Sequence, residues 1–138
     1  MHGTSIVMER TGVSVGDEGK ACRAFMWPNI EQYFKLSGYV MPPQFEKGLA
    51  SKDDYDVPRT LVELLLSGAL QNGWPRAKFE KKELDFKGTA KPSQKVSATL
   101  TVTEHYVNEV GASYAWMRAV CRTDDTVLLE GNVLVRLP

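Results

Sequence analysis

Residues 56–73 read Asp-Val-Pro-Arg-Thr-Leu-Val-Glu-Leu-Leu-Leu-Ser-Gly-Ala-Leu-Gln-Asn-Gly, and this stretch decides the fold because it holds the long apolar helix pattern of the chain. Its apolar residues cover a helix nearly all round, which is typical of a helix buried in a core. Pro58 suits the first helical turn, where a missing N–H is tolerated. Gly73, followed by Trp74 and Pro75, is a stop signal. The stretch therefore predicts one long, buried helix.

Nearly everything after this helix predicts β-strands. Residues 96–102 alternate apolar and polar side chains, so this strand is expected to bury one face. Gly131, in the last strand, marks a bulge or a close approach of another backbone. The order predicts an α+β fold in which a curved antiparallel sheet, ending in two successive hairpins, wraps round one long helix. The predicted strands cover residues 78–90, 96–102, 112–122 and 126–137, separated by turns at 91–94, 108–111 and 123–125.

The chain before the long helix gives weaker signals. Residues 1–14 are expected to form an N-terminal arm or an edge strand, and residues 20–27 a strand. A short helix is predicted to open at Pro28 and to end at Gly38. The 39–57 segment contains Pro42-Pro43 and several acids and is expected to be a long loop, either an active-site loop or a solvated surface loop. Residues 15–138 are expected to form a single domain.

Composition limits the classes of function. The 138 residues carry 17 basic and 17 acidic side chains, and this zero net charge without a basic run argues against a nucleic-acid partner. No apolar run is long enough to cross a membrane, and the N-terminus lacks a signal-peptide pattern. Cys22 and Cys121 lack metal-site spacing, so we expect reduced thiols that serve packing in a cytoplasmic protein. Neither a metal nor a bound cofactor is expected.

The order of elements over residues 15–138 resembles the MaoC-like branch of the hot-dog fold, the (R)-specific enoyl-CoA hydratases and acyl-thioester dehydratases. Each matching piece is short, and the resemblance rests on their order and spacing. It implies a hot-dog fold and an acyl-thioester substrate. The pieces are Val15-Gly16-Asp17, the short helix ending in Leu36-Ser37-Gly38, Val57-Pro58-Arg59-Thr60-Leu61 at the start of the long helix, Phe86, Pro92 and Gln94 near a turn, and the closing strand 128–135.

The departures from this family concern its catalytic groups. The hydratase motif is Ser-Gly-Asp-x-Asn-Pro-x-His, whose Asp and His activate the water that adds to an enoyl thioester. Here Tyr39 stands at the Asp position and Gln44 at the His position. A phenol with a pKa of about 10 and an amide are poor bases at neutral pH. His105, far along the sequence, is expected to be an ordinary surface histidine. The standard hydration is therefore expected to be absent or very slow.

The helix start differs as well. The family usually has His-Gly there, and this sequence has Arg59-Thr60. A cation at a helix N-terminus opposes the helix dipole, which suggests an anionic partner. That partner is either a substrate carboxylate or phosphate, or one of Asp53, Asp54 and Asp56. The second option, an internal salt bridge, is the simpler one.

These residues define the candidate site. The predicted catalytic groups are Tyr39, Gln44 and Asp54. Half-burial of the Asp54 carboxyl would raise its pKa toward values at which it can act as a base. A simpler role for Tyr39 is to cap the core with its hydroxyl in water. The predicted substrate-binding groups are Asp53, Asp56, Arg59 and Thr60.

Two functions of different class follow from this site. One is a tailoring enzyme that isomerises, cyclises or atypically dehydrates a polyketide-like substrate or an acyl thioester of CoA or a carrier protein. The other is a non-catalytic subunit beside a partner that carries the Asp/His dyad. Hot-dog proteins characteristically pair, so the resemblance implies a homodimer or a heterodimer.

Overall fold

The computed structural model describes residues 12–38 and 55–138. In these two ranges, two helices, α1 (Trp27–Ser37) and α2 (Arg59–Gly73), accompany five strands. All strand pairs are antiparallel and the order in the sheet is β1-β3-β4-β5-β2. The strands are β1 (Glu18–Ala24), β2 (Lys78–Phe86), β3 (Lys95–Val107), β4 (Ser113–Arg122) and β5 (Val127–Arg136).

The predicted α+β class, the two hairpins and the long helix are confirmed. Strands β3, β4 and β5 form a meander, and their inner faces bury small and medium apolar side chains. Such a surface lets a helix approach closely. Helix α2 lies against β1, β3 and β4 and completes the core with six buried residues: Leu61, Val62, Leu65, Leu66, Ala69 and Leu70.

Helix α2 is less buried and shorter than the sequence predicts. It begins at Arg59 with Pro58 as N-cap, so residues 56–58 precede it. Leu64 is 58% exposed, because the helix packs against the sheet on one side only. Its C-terminal end is held very close to β1, where the Cα of Gly73 lies 3.2 Å from the position that a Cβ on Gly19 would occupy.

Helix α1 confirms the predicted short helix. Gly38 ends it with a left-handed φ of 80°, and its N–H donates to the carbonyl of Phe34. Trp27 belongs to this helix and not to the preceding strand, which ends at Ala24. Asn29 supplies a start signal that the prediction did not use, since its Oδ1 accepts a hydrogen bond from the N–H of Met26 at 2.9 Å.

The two cysteines behave differently. Cys121 is fully buried on β4, and its thiol donates a long hydrogen bond of 3.7 Å to the carbonyl of Val62. Burial, with a smaller contribution from the charge of Glu63, raises the pKa of the Cys121 thiol to about 12. Cys22 is exposed on the edge strand β1, so the expectation of a packing role is wrong for this residue.

Other predictions concern the arm, Gly131 and the membrane. Residues 12–14 have no regular secondary structure, and the rest of the expected arm, residues 1–11, lies outside the described residues. Gly131 is a site of close approach, because a Cβ there would overlap the carbonyl oxygen of Glu83 on β2. Within residues 12–38 and 55–138, no helix has the length and hydropathy needed to cross a membrane.

Candidate functional site

The start of α2 is fixed by the chain that precedes it. Val57 is buried, and its N–H donates to the carbonyl of Ala90 at 2.8 Å. Tyr55, two residues earlier, makes edge-to-face contacts with the rings of Trp27 and Phe34 on α1, with centroids 5.8 and 5.9 Å away. These contacts anchor the entry to α2 between α1 and the turn before β3.

The first turn of α2 carries a partial positive charge that no side chain of the turn offsets. The first N–H groups of any α-helix have no acceptor within the helix. The N-cap, Pro58, has no side-chain hydrogen bond to this end, and no acidic residue lies in the first turn. Arg59 and Thr60 are both exposed there. This end of the helix can therefore attract an anion or polarise a carbonyl oxygen.

Arg59 stands over an aromatic ring. Its guanidinium carbon lies 5.2 Å from the ring centroid of Phe86 on β2. A cation–π contact at an exposed position contributes about 0.5–1 kcal/mol and offsets part of the unfavourable dipole interaction. In the described part of the chain, the ion pairs do not include Arg59.

Asp56 is engaged elsewhere. Its Oδ1 lies 2.7 Å from the Nζ of Lys91, and both side chains are about half exposed. Of the three acids considered as partners of Arg59, Asp56 pairs with Lys91 instead, because the turn before β3 brings Lys91 to it. The other two, Asp53 and Asp54, lie outside the described residues. An exposed pair of this kind contributes less than about 1 kcal/mol. An acid that is solvated and paired with a lysine is poorly suited to act as a base.

The structure thus brings Asp56, Arg59 and Thr60 together at one end of α2, as the sequence predicts. Tyr39, Gln44, Asp53 and Asp54 lie outside the described residues. Phe86 and Lys91 were missed as site residues. Phe86 had a signal in the family resemblance, whereas the contact of Lys91 with Asp56 joins residues 35 apart in sequence and had none.

His105 was expected to be an ordinary surface histidine, and the structure places it differently. It is half-buried on β3, and its Nε2 lies 2.8 Å from the Oγ of Ser113 on β4. No group of three or more candidate metal-ligand side chains occurs in the part of the chain that the structure describes.

Comparison with known proteins identifies the fold. No protein-family model and no curated protein matches the sequence. Among solved structures, the (R)-hydratase from A. caviae involved in PHA biosynthesis is similar over 91% of this chain and 98% of its own, with 21% identity and a TM-score of 0.74. The R-hydratase PhaJ1 from Pseudomonas aeruginosa is similar over 93% of this chain and 84% of its own, with 14% identity and a TM-score of 0.77.

A third similar structure is a complex. It is the C-terminally truncated HadBC complex, a 3R-hydroxyacyl-ACP dehydratase from Mycobacterium tuberculosis. The similarity covers 91% of this chain and 98% of that one, with 11% identity and a TM-score of 0.60. The sheet order, the position of the long helix and these comparisons agree, and the protein therefore has the hot-dog fold of the MaoC-like hydratases and dehydratases.

Proposed function

We propose that this protein binds an acyl thioester or a polyketide-like substrate at the N-terminus of α2 and converts it without the Asp/His dyad. The conversion is an isomerisation, a cyclisation or an atypical dehydration. One observation carries the proposal: the first turn of α2 presents Arg59 and Thr60 to solvent with no side-chain cap at Pro58. A thioester carbonyl, a substrate carboxylate or a phosphate is the kind of group that this end of a helix favours.

The binding roles follow from the contacts. The guanidinium of Arg59 has five donors, and its position over Phe86 leaves it able to form charge-assisted hydrogen bonds with an anionic group. The hydroxyl of Thr60 can donate to a carbonyl oxygen beside it. Asp56 acts in this proposal through Lys91, by holding the turn before β3 against the entry to α2.

The catalytic roles fall to Tyr39, Gln44 and Asp54. In the sequence, Tyr39 directly follows Gly38, and its assignment to the position of the family's Asp rests on the sequence motif. In the proposal, the phenol of Tyr39 donates a proton to an enolate or alkoxide, Gln44 orients the carbonyl, and Asp54 is the base, with Asp53 beside it binding substrate. The substrate is a CoA or carrier-protein thioester, and the protein works in the cytoplasm as a homodimer or a heterodimer.

A binding experiment tests the role of the helix start. Isothermal titration calorimetry with butyryl-CoA, a saturated thioester that cannot be hydrated, is expected to detect binding to the wild-type chain. Arg59→Ala is expected to weaken it about 10-fold or more, because a hydrogen bond to a charged group contributes about 1.5–3 kcal/mol. Arg23→Ala, which removes an exposed arginine on β1, is the matched control and should bind like the wild type. Equal affinity of Arg59→Ala and wild type contradicts the assigned site.

An activity assay tests the chemistry. We expect no rapid hydration of crotonyl-CoA by the purified chain, and rapid hydration would overturn the claim that the dyad is needed. With a substrate that is turned over, Tyr39→Phe and Asp54→Asn are expected to lower kcat at least about 100-fold. Unchanged turnover in both variants would remove these residues from the proposal.

A second function is a non-catalytic subunit that pairs with a dyad-bearing hot-dog protein. The exposed ion pair of Asp56 with Lys91 favours it, because it leaves this acid unsuited to catalysis. The HadBC structure, a dehydratase complex, offers a parallel for a paired assembly. Size-exclusion chromatography of the chain alone and mixed with a candidate partner tests this function. A mixed dimer with higher dehydratase activity than the partner alone supports it, and a strict monomer in both samples contradicts pairing.

A further inference from the structure

A cleft lies at the opposite end of α2 from the proposed substrate site. It has a volume of about 220 Å³ and is bordered by the end of the helix, the loop after it and the ends of β4 and β5. Trp74, Pro75 and Leu137 form apolar walls, and Ser113 supplies a hydroxyl-bearing residue. For comparison, an apolar cavity of about 150 Å³ can hold benzene, so the cleft has room for an acyl group of a few carbons.

A β-bulge brings a histidine to this serine. Up to Val102, every second side chain of β3 faces inward. Val102 itself pairs with Met117. The register then shifts, so that Glu104 pairs with Trp116 and His105 with Ala115. One extra residue reverses which side chains face inward, and His105 joins Ala115 on the inner face.

The serine and the histidine are in direct contact. The Nε2 of His105 lies 2.8 Å from the Oγ of Ser113, within the range that joins a nucleophile to its base. Ser113 is only 8% exposed and lines the cleft. Its strand is held in place because the N–H of Leu137 donates to the carbonyl of Ser113 at 2.9 Å. A nucleophile, a base and a cleft with apolar walls thus meet at one place.

We propose that Ser113, with His105 as its base, accepts a short acyl group from an activated ester or thioester bound in this cleft. In the tautomer protonated on Nδ1, Nε2 takes the proton of the Ser113 hydroxyl while Oγ bonds to the acyl carbonyl carbon. The bond from that carbon to the leaving oxygen or sulfur then breaks, and the leaving group takes the proton from the imidazolium. Water completes the cycle by releasing the acyl group as a carboxylic acid.

The same contacts predict slow turnover. The backbone N–H groups of Leu137 and Trp74, which line the cleft, both donate within the protein, to the carbonyls of Ser113 and Leu70 respectively. These N–H groups are therefore engaged and do not form an oxyanion hole. In enzymes that have an oxyanion hole, removing a single donor slows acyl transfer by about 10²–10³. We expect one acylation of Ser113 per chain followed by slow release. The site does not depend on the substrate site at the N-terminus of α2.

Mass spectrometry with p-nitrophenyl acetate tests the proposal. The Cys22→Ala variant serves as background, because the exposed thiol of Cys22 would compete for the ester. After digestion, Ser113 is expected to be acetylated about 100-fold faster than Ser93, an exposed serine in the same sample. If Ser113 is acetylated no faster than Ser93, the proposal is overturned, and this conclusion needs no further variant.

A second variant separates base catalysis from simple access. His105→Gln keeps a side chain that can hydrogen-bond to Ser113 but cannot take up its proton. Labelling of Ser113 in this variant is expected to fall to the level of Ser93, with circular dichroism confirming the native fold. Unchanged labelling in folded His105→Gln would show that His105 is not the base and would refute the proposed pair.

Discussion

The contact between α2 and β1 gives a sharp prediction, because it requires glycine on both sides, at Gly19 and at Gly73. A Cβ on Gly19 would lie 2.8 Å from the Cζ3 atom of Trp74 and 3.2 Å from the Cα of Gly73, and closer still to the carbonyl oxygen of Ala69. Two of these atoms belong to the backbone of α2, so rotating a side chain cannot relieve the clash. Gly19→Ala must move the end of the helix away from the strand.

The expected loss of stability follows from the packing. Overpacking typically costs about 1–3 kcal/mol, and removing a strand glycine returns about 0.5–1 kcal/mol of backbone entropy. Because the clash is with backbone atoms, we take the upper end of the cost, about 3 kcal/mol, less about 1 kcal/mol, which gives a net loss of about 2 kcal/mol. With an unfolding entropy of about 2.1 cal/mol/K per residue, 138 residues give about 0.29 kcal/mol/K. The midpoint of thermal unfolding should then fall by about 7 °C.

The chain offers a matched control in the same interface. A Cβ on Gly68, inside α2, would meet the Cβ of Ala21 at 3.4 Å, an ordinary contact. Gly68→Ala should therefore raise stability by up to about 1 kcal/mol through helix propensity. Thermal and urea unfolding followed by circular dichroism measure both variants. A Gly19→Ala midpoint within 1–2 °C of the wild type, or equal shifts of both variants, would refute this account of the interface.

Three further predictions concern the core, a thiol and an ion pair. Leu66→Ala, at a fully buried position of α2, should lower the free energy of unfolding by about 2–5 kcal/mol in urea titrations, and a loss below 1 kcal/mol would contradict its central place in the core. Because burial raises the pKa of Cys121 to about 12 in the folded state, this thiol should not affect stability below about pH 8. Above that pH the free energy of unfolding should fall, by up to about 1.4 kcal/mol per pH unit, as the unfolded thiol ionises while the folded one does not. Cys121→Ala should lack that part of the slope, and identical slopes in the two proteins would contradict the assignment. Asp56→Asn should change the free energy of unfolding by less than about 1 kcal/mol, since its pair with Lys91 is exposed, and a larger loss would show that Asp56 has a structural role beyond that pair.

The candidate site was predictable in part. Arg59 and Thr60 could be placed at a helix start because Pro58 and the apolar pattern after it mark that boundary in the sequence. The partner of Asp56 could not be predicted, because an ion pair between residues 35 apart depends on how the turn before β3 folds back on the helix. The contact of His105 with Ser113 could not be predicted either, since simple alternation along β3 places His105 on the outer face.

Local patterns in the sequence determined the long helix and the three-stranded meander, whereas the replacement of the Asp/His dyad by Tyr39 and Gln44 stays a prediction from the sequence motif. These properties depend on residue type and short-range period, which sequence carries directly. Tertiary structure alone decided the sheet order β1-β3-β4-β5-β2, the close approach of Gly19 to Gly73, and the bulge that turns His105 toward Ser113. These properties depend on which distant segments pair and in what register, and a shift of one residue exchanges the two faces of a strand.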